Sequence, residues 1–235
     1  MKRFYKLVST ASGAGGFSVQ LDGRSVKTPA GNILQTTHEK LANALVLEWA
    51  GQGEHILPDT MPLTQLLSTR IDRIATMREE ISRQTLNYLD TDLLCYRAEK
   101  PPGLPERQAQ SWDPWLQWFE KQFGVSLKTT TELQALQQDR AAHEKVAAYV
   151  KGLGDDPFNV LQLVTSVSGS LILALAFVKG EMDTQTLFDA FHVEEHFKAE
   201  IYNEALHGQD PAQEKKDKAL LRDLSAAHEY LGLTK

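Results

Sequence analysis

Phe17-Ser18-Val19-Gln20-Leu21-Asp22-Gly23-Arg24-Ser25-Val26-Lys27-Thr28 decides the class of fold. Phe17, Val19 and Leu21 alternate with polar residues, the period of a half-buried strand. Asp22-Gly23 follows at once, and a tight hairpin turn needs residues that accept positive φ. Val26 and Thr28 then continue a return strand. Upstream, apolar, β-prone Phe4 to Ser9 predicts a further strand. Ala11 to Gly16 offers no apolar anchor and predicts a mobile connecting loop. Downstream, Pro29 to Asn32 predicts a second turn before Ile33 and Leu34.

Beyond this sheet the pattern changes to helical spacing. Thr36 and Glu39 have capping-box spacing, with Leu41, Ala44, Leu45, Leu47 and Trp49 following. Pro58 to Pro62 is a connector, after which Leu63, Leu67, Ile71, Ile74, Met77 and Ile81 predict one long amphipathic helix. Pro101 to Pro105 marks the boundary between a 1–100 α+β domain and a 101–235 helical domain. Asp113-Pro114 predicts a helix start, with Trp115, Trp118, Phe119 and Phe123 behind it. Thr131 to Leu153 predicts another helix. Pro157 to Val178 is uncharged, but Asn159, Gln162, Thr165 and Ser166 interrupt it, so a buried helix or two short ones is expected, not a membrane span. Asp183 or Thr184 caps a helix running to about Leu206, ended by Gly208. Lys215 to Leu231 forms the last one. The expected fold is α+β: a small N-terminal antiparallel sheet with helices, joined to a C-terminal all-helical bundle.

Composition sharpens this. The chain has 235 residues, 42% hydrophobic and 24% charged, which excludes collagenous, disordered and disulfide-scaffold classes. Cys95 is the single cysteine, so no intrachain disulfide forms and a reducing compartment is expected. No charged-then-apolar leader opens the sequence, which predicts a chain without a secretory signal. Residues 1–180 hold nineteen basic and nineteen acidic side chains, so the net charge of −6 lies wholly in 181–235. Glu181 to Glu204 carries seven acids against Lys198 alone, the wrong sign for a nucleic-acid binder.

Enzymatic motifs are weak. Gly13-Ala14-Gly15-Gly16 lacks the Gly-Lys-Ser/Thr ending of a phosphate loop and reads as a hairpin connection. No serine has glycines two residues away on both sides, so there is no nucleophile elbow. His192 and His196, four apart, could share a helical face and ligate a metal, but Val193 stands where a zinc protease has its glutamate. Extended over one helix, they fall opposite the apolar stripe and read as solvated. Trp49 and Trp112 read as core residues.

Short motifs recur in order along the chain. They are Lys2-Arg3-Phe4-Tyr5-Lys6, Leu21-Asp22-Gly23-Arg24, Lys27-Thr28-Pro29, Glu48-Trp49, Met61-Pro62-Leu63-Thr64, Ile71-Asp72-Arg73, Thr91 to Arg97, Arg107-Gln108 and Trp112-Asp113-Pro114. Together they resemble the assembly chaperones of the F-type ATP synthase that bind the free α subunit of its catalytic head. The resemblance implies a chaperone, not an enzyme, with no cofactor, metal or nucleotide, no nucleic-acid partner and no membrane insertion. It implies the cytoplasm if the chain is bacterial and the mitochondrial matrix for eukaryotic relatives. It also points to the acidic pair Glu194-Glu195 followed by Phe197. Lys198 and Tyr202-Asn203 depart from the family's glutamine and Trp-Gly. Treating Thr184 to Leu206 as one helix, Glu194 lies inside an apolar stripe with Lys198 as an internal partner. Glu195 lies at its edge beside Phe188 and Tyr202, with nothing near in sequence to neutralise it. The expected partner site is therefore Glu195, Glu194, Phe188, Phe197 and Tyr202. Two other readings stay open, a metal-dependent hydrolase using His192 and His196, and a generic helical adaptor.

Overall fold

Alternation along Phe17 to Leu21 becomes strand β2 (Gly16–Leu21), with Val19 and Leu21 buried. It pairs antiparallel with β1 (Val8–Gly13), β3 (Arg24–Ser25) and β4 (Gln35–Thr36). The turn takes positive φ at Asp22 (48°) and Gly23 (80°), as its sequence requires. Asp22 tolerates this because its carboxylate accepts the amides of Leu7 (2.8 Å) and Lys6 (3.1 Å). Those two bonds hold its carboxyl below the usual carboxylate range. The computed structural model describes residues 1–132, 134–201 and 211–235.

Upstream of β2 the expectation of a loop at Ala11 to Gly16 is overturned. The hairpin register runs from Val8↔Leu21 to Gly13↔Gly16, leaving only Ala14 and Gly15 at the tip. Backbone ladder bonds need no apolar side chain, so hydropathy carried no sign of this. Gly16 (φ 102°) cannot be replaced freely, since a Cβ there would stand 2.3 Å from the Thr36 carbonyl oxygen.

Two units emerge from the contacts. The first takes Met1–Arg78, Asp155–Val160 and Ser225–Lys235; the second takes Glu79–Gly154 and Leu161–Leu224. In the first, α1 (Glu39–Ala50) buries Leu41, Ala42 and Leu45. Leu47 is 73% exposed, against expectation. Thr36 is no N-cap: it lies in β4, and its hydroxyl accepts the His38 amide (3.2 Å). Glu48 caps a different helix instead. Its carboxylate accepts the Leu63 amide (2.7 Å), the Thr64 amide (2.8 Å) and the Thr64 hydroxyl (2.7 Å), closing the start of α2 (Pro62–Thr69).

The single long helix expected from Leu63 to Ile81 is interrupted. After α2 comes a π-helical turn, Arg70–Ile74, then α3 (Ala75–Asn87), in which Met77 leaves helical geometry (φ −125°, ψ 20°). The wide turn presents Asp72 to the 28–32 turn. There its carboxylate accepts the Thr28 hydroxyl (2.6 Å), the Asn32 side-chain amide (2.9 Å) and the Ala30 amide (3.0 Å). Arg78 pairs with Asp155 (2.6 Å), and the buried Tyr230 hydroxyl donates to Asp156.

In the second unit, helix α4 (Leu104–Phe123) starts well before the expected Asp113-Pro114, which lies inside it. Gly103 (φ 91°) turns the chain in, and Pro105 occupies the first turn, where a missing amide costs nothing. Asp113 pairs with Arg97 (2.7 Å) instead of capping. Helix α5 (Arg140–Gly152) is shorter than the expected 131–153. Amides before it find other acceptors: Leu136 donates to the Tyr96 hydroxyl (2.9 Å) and Gln138 to the Asp90 carboxylate (2.8 Å).

The uncharged stretch resolves into two helices, as expected. α6 (Asp155–Ser168) ends at Gly169 (φ 69°), and Ser170 caps α7 (Leu171–Val178) by accepting the Leu173 amide (3.1 Å). Among the described residues, no helix is long and apolar enough to cross a membrane. Asp92 is fully buried and closes the same junction. Its carboxylate accepts the Ser170 hydroxyl (2.8 Å), the Ile172 amide (3.0 Å) and the Leu94 amide (3.1 Å). Burial, only partly offset by these bonds, pushes its carboxyl up to about 6. Cys95 is buried, which pushes its thiol up and makes it a small core residue. The last helix, α10, spans Pro211–Leu233.

Candidate functional site

The acidic stretch does not form one helix. Asp183 caps α8 (Thr184–Phe191) by accepting the Thr186 amide (2.7 Å), as its sequence predicts. His192 then leaves helical geometry (φ −101°, ψ 16°), and α9 (Val193–Ile201) begins. A wheel drawn through the break misplaces His192, whereas His196 is exposed as expected.

His192 is accordingly half-buried, not solvated. Its Nδ1 lies 3.0 Å from the Phe188 carbonyl oxygen. Its ring packs at a tilt against both Phe188 (4.1 Å) and Phe191 (4.4 Å), and His196 stacks on it at 5.9 Å. Among the described residues, no group of three or more His, Cys, Asp and Glu could hold a metal ion. His192 serves as a joint filler where two helices meet.

α4 braces α9 along its length. The Trp112 indole N–H donates to the Ala190 carbonyl (2.6 Å), with no surface of Trp112 exposed. Gln108, also fully buried, donates to Glu194 (2.9 Å) and accepts the Ala98 amide (2.8 Å). Arg107 pairs with Glu200 (2.7 Å). Phe197 lies against Gly103, where an added Cβ would stand 3.3 Å from the ring. Here the motifs Arg107-Gln108 and Trp112 find their role: they dock the acidic helix.

The five expected site residues thus sort by position. Phe188 is 5% exposed and Phe197 half-buried, so both hold the helices in place. Glu194 is half-buried and taken by Gln108, not by Lys198. Glu195 is exposed, and no ion pair or hydrogen bond reaches its side chain among the described residues. Its place in the first turn of α9 suits its charge, because the free amides there favour an anion. Tyr202 lies outside the described residues. The bracing by Gln108 was missed because its signal, a polar residue on the buried face of α4, depends on a helix start misread by several residues.

With this geometry in hand, likeness to known proteins is informative. The family described as ATP12 chaperone protein matches residues 2–120. Protein atp12, mitochondrial, of Schizosaccharomyces pombe is 29% identical over 196 residues, covering 78% of this chain and 67% of the relative. Protein ATP12, mitochondrial, of Saccharomyces cerevisiae is 26% identical over 208 residues, covering 75% of this chain and 64% of the relative. The chain therefore spans about two thirds of the length of these relatives. The crystal structure of Atp12 from Paracoccus denitrificans is 31% identical with a TM-score of 0.89, covering 100% of this chain and 98% of that one. The α+β architecture of sheet, helices and C-terminal helical region is that of this Atp12 structure. This chain belongs to the ATP12 chaperone family, assembly factors of the ATP synthase.

Proposed function

We propose that this chain binds the unassembled α subunit of the F-type ATP synthase catalytic head and shields it until it pairs with β. It acts as a holding factor without catalysis, cofactor, metal or nucleotide, in the cytoplasm of a bacterium or the matrix compartment of mitochondrial relatives. The observation that carries the reading is Glu195: a carboxylate exposed on a helix that α4 holds in place, with no internal partner among the described residues. Glu194, Phe188 and Phe197 complete the site by setting the angle and surroundings of that charge, and Tyr202, outside the described residues, is the fifth residue of the proposal. Acids around it speed encounter with a basic surface of the α subunit more than they tighten the complex.

A binding titration of purified α subunit tests this. Glu195→Lys is expected to weaken binding more than tenfold, about 1.4 kcal/mol, with unchanged circular dichroism and melting. Glu181→Lys, the same charge change at another exposed acid of the acidic stretch, is expected to lose far less. Glu200 is no clean control, because Arg107 engages it. Equal losses at 195 and 181 would reduce the effect to net charge, and no loss at 195 removes that residue from the site.

A further inference from the structure

The first unit carries a surface unlike the acidic helix. Phe4 is 67% exposed, Met1 74%, Leu7 63% and Leu57 56%, all at or beside the N-terminal segment. That segment is fixed, not loose. The Arg3 amide donates to the Glu54 carbonyl (2.8 Å), and the Arg3 guanidinium reaches the Gln52 carbonyl (2.6 Å). Tyr5 donates to the Trp49 carbonyl (2.7 Å). The exposed side chains are therefore held out on a rigid backbone, which a folded protein seldom does without a use.

Beside Met1 and Phe4 lies a cup of about 500 Å³, walled by Phe4, Tyr5, Leu21, Val26 and Trp49. Phe4, Tyr5 and Trp49 form a run of rings, with centroids 5.5 and 5.9 Å apart. The Trp49 indole Nε1 is buried without a hydrogen-bond partner among the described residues. Arg24 and Lys27 stand at the rim, exposed and, among the described residues, without an ion pair. Residues 1–27 hold five cations, Lys2, Arg3, Lys6, Arg24 and Lys27, against one acid. That acid, Asp22, lines the same cup with an ionised carboxylate held by the Lys6 and Leu7 amides, and Lys2 is paired with Glu54 (3.9 Å), so Arg24 and Lys27 stand against one acid at the cup. An aromatic cup with an excess of positive charge at its lip, two cations against one acid, matches apolar side chains flanked by carboxylates.

We propose that this cup is a second docking surface, which takes an acid-flanked apolar segment of a partner polypeptide. Its chemistry is the reverse of the acidic helix, so one client can engage both without competing for either. The proposal rests on the reading of this chain as a holding chaperone only in naming that client. A protein segment suits the cup better than an anionic lipid surface, because a flat surface would meet the exposed rim residues Met1 and Phe4 but leave the concavity over Tyr5, Leu21, Val26 and Trp49 unfilled.

Two arms test it. In the first, the probe is a synthetic peptide of leucines and phenylalanine between glutamates, with its lysine-flanked counterpart. The glutamate peptide is expected to shift the Trp49 indole N–H resonance saturably, and the lysine peptide is not. Phe4→Ser and Lys27→Glu, both at exposed positions and expected to melt like wild type, weaken the glutamate peptide at least tenfold. Equal response to both peptides, or an equal response to anionic phosphatidylglycerol vesicles, overturns the proposal. In the second arm the probe is purified α subunit. If wild type binds it while Phe4→Ser and Lys27→Glu bind equally well and no peptide shift occurs, the cup is no docking surface. If α subunit fails to bind at all while the glutamate peptide shifts Trp49, the cup stands and the α-subunit reading falls.

Discussion

Asp72 in the first unit and Asp92 in the second do the same job in opposite settings. Each carboxylate accepts bonds from one hydroxyl and from nitrogen donors, and each fastens a loop to a helix. Their acidities move in opposite directions. At Asp72 desolvation is the largest single influence and raises its pKa, but bonds from Thr28, Asn32 and Ala30 together outweigh it, leaving the carboxyl below its usual value. At Asp92 complete burial wins, and the carboxyl rises to about 6 despite its bonds. Hydrogen bonding alone does not set the charge state of a structural carboxylate; depth beneath the surface decides between two similar bond sets.

The largest expected effect comes from removing the deeper group. Asp92→Ala leaves the Ser170 hydroxyl and the Leu94 and Ile172 amides buried without an acceptor, at a cost of about 3 kcal/mol. Urea unfolding followed by circular dichroism checks this, and a loss under about 1 kcal/mol would mean water or a neighbour takes over.

Next comes pH. A carboxyl raised in the folded state contributes stability that is fully present below its unfolded value and fades as pH rises through about 6. Acidifying from about pH 7.5 to 5 should therefore widen the stability gap between wild type and Asp92→Asn by about 1.4 kcal/mol. A constant gap would show that Asp92 stays ionised and that the contrast with Asp72 is false.

Asp72→Asn should cost least, about 1 kcal/mol. Its pKa is lowered, so its contribution is present above the unfolded value and lost as pH falls through the folded one. Amide hydrogen exchange at Ala30 reads the loss locally. Unchanged protection there would mean that the turn holds without its fastening.

These contrasts explain what could be read from residues alone. The Asp22-Gly23 turn and the Asp183 cap were legible, because each is decided within four residues by backbone chemistry. The start of α4 was misread because Pro114 is a good first-turn residue, yet here it is tolerated in mid-helix. The π-helical turn at Arg70 answers to distant partners, Thr28 and Asn32; the break at His192 packs against its near neighbours Phe188 and Phe191, but a continuous helical periodicity does not mark it. Of the site, the acidic pair was legible from its neighbours. That Glu194 turns inward and Glu195 outward was legible too; the partner of Glu194 was not, since Gln108 reaches it from 86 positions away.

Asp22 carries a consequence of a chemical kind. Among aspartates, one followed by glycine is the most prone to cyclise to a succinimide: the glycine nitrogen attacks the side-chain carbonyl with loss of water, and hydrolysis reopens the ring largely as isoaspartate. In the folded chain that carboxylate is engaged by the Leu7 and Lys6 amides. The native turn thereby guards its own weakest covalent link, and the ageing of stored protein at this bond follows the fraction of molecules whose N-terminal hairpin has opened.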